Sequence, residues 1–116
     1  MDNRVVDISN SEQYSWGQKA VGWHLLKAGN LSVISEKMPK GAAERMHYHE
    51  KTQQFFYVLS GEATFEVNGA IHVVKQHQGI AINPGEKHKV TNFADQDLEI
   101  MVISSQPSHG DRINLE

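Results

Sequence analysis

Residues 47–61 read "HYHEKTQQFFYVLSG". His47 and His49 stand two apart, an apolar and aromatic run follows, and Gly61 closes it. In a β-strand, side chains i and i+2 point to one face. His47 and His49 therefore project together, with ring nitrogens close enough to share one ion, while Tyr48 faces the other way. After a tight turn, a polar residue on the adjoining strand can bring a third ligand, and Gln53 and Gln54 are both placed for it. A fourth can come from His88, which follows the turn sequence "NPGEK".

Working outward, short strand-like runs recur between turn residues. "LSVISEKM" (31–38) alternates and ends at Pro39 and Gly41, "QQFFYVLSG" spans 53–61, and "EATFEVNG" (62–69) ends in Asn68-Gly69, a strong hairpin dipeptide. "AIHVVK" (70–75), "GIAINPG" (79–85), "HKVTNF" (88–93) and "DLEIMVISS" (97–105) follow. No window of a dozen residues holds a helical period. The reading is an all-β, antiparallel barrel or sandwich in a single domain. We expect residues 1–30 to form an extension packing on the barrel, 31–105 the barrel, and 106–116 a polar, loosely held tail. Residues 10–28 are the least readable part.

Composition narrows the chemistry. The chain has 116 residues, one domain's worth. It contains no cysteine, which excludes disulfides, thiolate metal sites and a cysteine nucleophile. Any metal must rest on nitrogen and oxygen ligands. A net charge of −3 with no basic stripe speaks against nucleic acid. No apolar run approaches the ~18 residues of a membrane span. The start, "MDNRVVDISNSEQYSW", lacks a secretory apolar core, so a cytoplasmic protein is expected. The compositional excess is 7 histidines. His72 and His77 read as surface or wall residues, and His24 and His109 receive no role.

In residues 41–61 the chain resembles the first motif of the cupins: Gly41, five residues, His47-Tyr48-His49, four residues, Gln54, six residues, Gly61. The family usually has Glu where Gln54 stands. The second cupin motif is similar to Gly85, two residues, His88, three residues, Asn92. Its first half is altered, with Asn83 at the usual proline and His77 at the usual glycine. The likeness covers about residues 30–105 and is to small single-domain cupins. It implies a six- to eight-stranded jelly-roll barrel holding one divalent transition metal (iron, nickel, manganese, zinc or copper) in its mouth. The implied ligands are His47, His49, Gln54 and His88.

A glutamine carbonyl is a weaker, neutral donor than a carboxylate. The ion is left more electropositive, which favours a Lewis-acid role on a small, anionic metabolite, as in a sugar-acid isomerase or lyase step. An iron-dependent dioxygenase and a non-catalytic small-molecule-binding cupin are the alternatives. Glu36, Phe56, Val58, Phe65 and Val90 are the expected pocket lining, and Phe56, Val58, Phe65 and Val67 the barrel interior. Glu36, Tyr57 and Glu66 lie near enough in sequence for acid–base work, though no spacing singles one out. Asn92 is expected to fix a turn. Phe55, Tyr57 and Leu59 share the opposite face of their strand, so that face should be covered too, and a homodimer is expected. No membrane or nucleic-acid partner is indicated.

Overall fold

A computed structural model describes residues 3–105 and 110–116. All regular elements among these residues are strands: β1 Glu12–Trp16, β2 Ala20–Lys27, β3 Ser32–Met38, β4 His47–His49, β5 Gln54–Ser60, β6 Glu62–Val67, β7 Ala70–Lys75, β8 Gly79–Ile82, β9 His88–Thr91, β10 Leu98–Ser104 and β11 Arg112–Asn114. No helix is long and apolar enough to cross a membrane. The strands form two antiparallel sheets, one in the order β1-β2-β3-β10-β5-β8 and one in the order β11-β4-β9-β6-β7. Eleven strands exceed the six to eight implied by the resemblance. The excess lies at the ends, where β1 and β2 widen one sheet and β11 adds an edge to the other.

Alternation explains the core. Phe56 and Val58 of β5, Ala63, Phe65 and Val67 of β6, Val90 of β9, and Leu98, Ile100 and Val102 of β10 all turn inward and are buried. The rings of Phe56 and Phe65 meet edge-on across the sheets at 5.0 Å. Asn68 and Gly69 both take positive φ (49° and 87°), as a two-residue turn between β6 and β7 requires. Gly61, which closes the opening stretch, has φ 92°, and a Cβ there would lie 2.7 Å from the Asp97 carbonyl oxygen. His77, at the family's usual glycine position, has φ 65°. Asn92 is fully buried. Its Nδ2 donates to the Met38 and Gln96 carbonyls (2.9 Å each), and its Oδ1 accepts from Ala94 N–H at 3.0 Å. It fixes the turn between β9 and β10 and ties it to the end of β3.

The C-terminal segment, expected to be loose, is tethered over residues 111–116. β11 pairs with β4 in the register Arg112↔His49 and Asn114↔His47. The Asp111 carboxylate accepts from the backbone N–H groups of Glu50, Lys51 and Thr52 and from the Thr52 hydroxyl (2.6–3.2 Å). That cluster of donors holds its acid at a pKa of about 2. Polarity did not reveal this, because the tether is one aspartate on three turn amides rather than an apolar stripe.

Phe65→Ala should lower the unfolding free energy by about 3–5 kcal/mol. The check is a fall in the urea midpoint at unchanged slope.

Candidate metal centre

β4 places His47 and His49 on the inner face, and β9 places His88 directly opposite His47 in the register. Their ring centroids are 4.3 Å (47–88), 5.1 Å (47–49) and 5.9 Å (49–88) apart. One ring nitrogen from each lies within 4.8 Å of the others, and all three residues are buried. Local hydrogen bonds set two tautomers. His47 Nδ1–H donates to the Arg45 carbonyl oxygen (2.7 Å) and His88 Nδ1–H to that of Glu86 (2.8 Å). The Nε2 lone pairs are thereby left to face a common volume. His88 Nε2 is buried without a partner, as is His49 Nδ1.

Gln54 reaches the same cavity from the other sheet. Strand parity turns it inward, while Gln53 points out and donates its Nε2–H to the Ile82 carbonyl (2.9 Å). Gln54 Nε2 donates to Ser104 Oγ at 3.1 Å, its register partner, which leaves Oε1 buried and unsatisfied. Orphaned buried acceptors are costly, about 1–3 kcal/mol each. An ion among these atoms would satisfy them together. Burial lowers all three imidazole pKa values, His47 to about 3 and His49 to about 4. The rings are therefore neutral at neutral pH, as metal ligation requires. The donor set fits iron, nickel, copper or zinc better than magnesium or calcium.

The cavity lined by His47, His49 and Gln54, with His88 behind its wall, measures about 780 Å³. Glu36 and Phe56 line it, whereas Val58, Phe65 and Val90 do not: they are fully buried in the apolar core, deeper in the barrel. Parity foretold that they face inward, but not how far they lie from the mouth. Tyr57 and Glu66 are also absent from the cavity wall. His72 and His77 are exposed, and His109 lies outside the described residues. The wall also holds residues that sequence reasoning missed, namely Tyr14, Trp16, His24, Glu44 and Arg112. Tyr14 and Trp16 alternate on β1, which gave a weak cue. Burial raises the Glu36 carboxyl to about 7, against an opposing hydrogen bond from Tyr14. Burial, reinforced by Glu36, raises Glu44 to about 8.

The family model of the cupin domain matches residues 34–104. An oxalate-binding protein of Thermotoga maritima is 31% identical over 67 residues, which is 58% of this chain and 55% of that protein. The chain thus spans about half of that relative's length. Among solved structures, a predicted oxalate decarboxylase from Thermotoga maritima superposes with a TM-score of 0.82 at 24% identity, over 89% of this chain and 99% of its own. The polyketide cyclase RemF from Streptomyces resistomycificus superposes with a TM-score of 0.85 at 17% identity, over 100% of this chain and 87% of its own. At these identities the two likenesses establish the fold.

Two measurements test the site. Elemental analysis of the purified chain should find one transition-metal ion per chain, lost in His47→Ala and His88→Ala. The second test is a pH profile of the metal-free protein. Glu36 and Glu44 hold protons in the fold that the unfolded chain has released above about pH 4.5. Stability conferred by the protonated carboxyls is therefore lost as pH rises toward 8. The depressed histidines act in the opposite sense, and only below about pH 6.5. The urea midpoint should therefore fall between pH 6.5 and 8, and Glu36→Gln with Glu44→Gln should flatten that fall.

Proposed function

The chain belongs to the cupin domain family, and on that premise we propose that it binds one divalent transition metal and acts with it on a small carboxylate metabolite. His47, His49, His88 and the Gln54 carbonyl would hold the ion. Bound there, it supplies Lewis acidity toward a substrate oxygen.

The reading is carried by the meeting, in one cavity, of unprotonated imidazoles with the Arg112 guanidinium. Arg112 lies beside His49 in the β4–β11 register, and its Nε donates to Asn114 Oδ1 at 2.8 Å. Among the described ion pairs none involves Arg112. Its charge nevertheless acts on all three imidazoles and on Glu36 and Glu44. A planar fork with free N–H donors matches a carboxylate bidentately. The name of the oxalate-binding relative supports a carboxylate ligand. It also favours a second reading, binding without turnover.

Isothermal titration with oxalate as the probe tests the proposal. Zinc- or manganese-loaded protein should bind one oxalate per chain, and chelated protein should bind far more weakly. Arg112→Gln should cost about 10- to 100-fold in affinity at unchanged metal content, the scale of a charged hydrogen bond. Equal binding with and without metal would sink the reading. Consumption of dissolved oxygen by the iron-loaded chain with catechols or acireductones would replace it with a dioxygenase. Tight binding with no conversion of any carboxylate would leave the binding module.

The expected homodimer belongs here as well. On the outer face of the six-stranded sheet two transverse rows are largely apolar, Val33–Ile103–Phe55 and Ser35–Met101–Tyr57. Phe55, at the β5 end of the first row, is 40% exposed. A second copy of the chain, laid face to face, would cover both rows at once. Sedimentation should give a mass of about twice 13.0 kDa. Phe55→Asp should restore the monomer without loss of metal.

A further inference from the structure

Tyr14, Gly22 and Glu36 stand side by side on three neighbouring strands, in the registers Tyr14↔Gly22 and Gly22↔Glu36. In-register residues present their side chains to one face of a sheet. Gly22 has no side chain, and the Tyr14 ring occupies its place. A Cβ at residue 22 would lie 2.3 Å from Tyr14 Cζ and 2.4 Å from its hydroxyl oxygen. The phenol thus lies flat across the β2 backbone, and its hydroxyl donates to Glu36 Oε2 at 2.8 Å.

Glu36 is 8% exposed, and no cation lies within ion-pair distance of it among the described residues. A carboxyl in such a place costs free energy that an apolar residue would not. If its purpose were only to seat Tyr14, both oxygens would be expected to be enclosed. Only Oε2 is engaged. Among the described residues Oε1 makes no hydrogen bond and is not among the buried unsatisfied atoms, and the residue lines the cavity shared by His47, His49, Gln54 and Arg112.

We propose that Glu36, seated by Tyr14 over Gly22, is the proton-transferring group of this cavity, acting on a 2-oxo carboxylic acid whose carboxylate lies on Arg112 and which carries a hydrogen on the carbon beside its carbonyl. This rests on the carboxylate reading above. The Glu36 carboxylate takes a proton from the carbon beside the substrate carbonyl. The C–H electron pair moves into the adjacent carbon–carbon bond and the carbonyl becomes an enolate. Return of a proton from Glu36 to the enolate oxygen gives the enol, and return to the same carbon regenerates the keto acid; either restores the carboxylate, with no oxidant or reductant consumed, and a Glu36 proton that has exchanged with solvent labels the carbon. A group that titrates near the working pH does this best, and burial places Glu36 there. The titratable groups around it in the cavity include Tyr14 from β1, His24 from β2, Glu44 from the segment before β4, His47 and His49 from β4, and Arg112 from β11. Burial and the two acids push the Tyr14 phenol upward, so it serves as a fixed donor and a positioning residue.

Two arms test this on the full chain. In the first, 13C NMR of glutamate carboxyls follows the metal-free protein through a pH titration. Two carboxyls should titrate above the ordinary range, near 7 and near 8. The one near 7 should vanish in Glu36→Gln and shift upward in Tyr14→Phe, which removes the hydrogen bond that favours the anion. In the second, zinc- or manganese-loaded protein is incubated with pyruvate in D2O, and deuterium entry at its methyl carbon is followed. Glu36→Gln should slow entry at least about 100-fold with metal content unchanged. Tyr14→Phe should raise the pH midpoint of entry. A Glu36 carboxyl in the ordinary range, one indifferent to Tyr14→Phe, or equal entry in Glu36→Gln would each overturn the proposal. So would a wild-type chain that binds pyruvate without exchanging its protons. Absence of metal or of pyruvate binding instead overturns the carboxylate reading, and this inference falls with it.

Discussion

Two short hydrogen bonds govern the centre of this molecule: Nδ1–H of His47 to the carbonyl of Arg45, and Nδ1–H of His88 to the carbonyl of Glu86. A neutral imidazole has one donor and one acceptor. Once the backbone two residues upstream takes the donor, the lone pair must point away from it, into the barrel. Burial then penalises protonation, so the lone pair stays available. β4 and β9 pair at His47↔His88, and this single register position sets one lone pair against the other. The cost is a small group of buried acceptors without partners, concentrated at one end of the barrel. The packed part of the interior, built on Phe65, Val58, Ile100, Leu98 and Val90, is apolar and fully enclosed. The fold separates a packed end that stabilises from an open end that is poised to bind.

The local part of this arrangement was legible in the sequence. Period-two alternation gave the strands, Asn68-Gly69 gave the hairpin, and motif spacing drew His47, His49, Gln54 and His88 together. The structure sets Gln54 rather than Gln53 inward, in line with that spacing. What stayed hidden depends on long-range register. Tyr14 and Glu36 are 22 positions apart and meet because an intervening glycine is bare. Residues 10–28 resisted reading because a register shift between His24 and Leu26 breaks the alternation of β2, and positive φ at Gly17 and Lys19 shapes the turn before it. Position along the barrel axis is invisible to a two-residue period. Val58, Phe65 and Val90 therefore read as pocket lining although they sit in the core.

Asp111 links the chain's end to its centre. Its carboxylate gathers the amides of the turn joining the His-x-His strand to β5, and the residue after it is Arg112. One side chain thus both fixes the loop between His49 and Gln54 and sets the position of a cation over the cavity. A short, polar segment can be firmly placed without an apolar anchor when several backbone donors converge on one carboxylate. This explains how a sequence that reads as a solvated tail contributes an element of the site.

The charge arrangement gives residue 54 its significance. Glu36 and Glu44 occupy the cavity, and Glu36 already raises the pKa of Glu44. A third carboxylate, at position 54, would add repulsion to a space where burial already disfavours negative charge. The amide supplies an oxygen donor without it. Burial meanwhile favours the protonated forms of Glu36 and Glu44 near neutral pH, so their negative charge is muted while the positive charge of Arg112 persists. Among these groups the cationic fork then carries the uncompensated charge, beside an imidazole cluster that itself carries none. An incoming carboxylate adds negative charge opposite that fork, and an added divalent ion strengthens the attraction. Neutrality at Gln54 and the raised carboxyl pKa values thus serve one end, a buried cavity with room in its electrostatics for an anion.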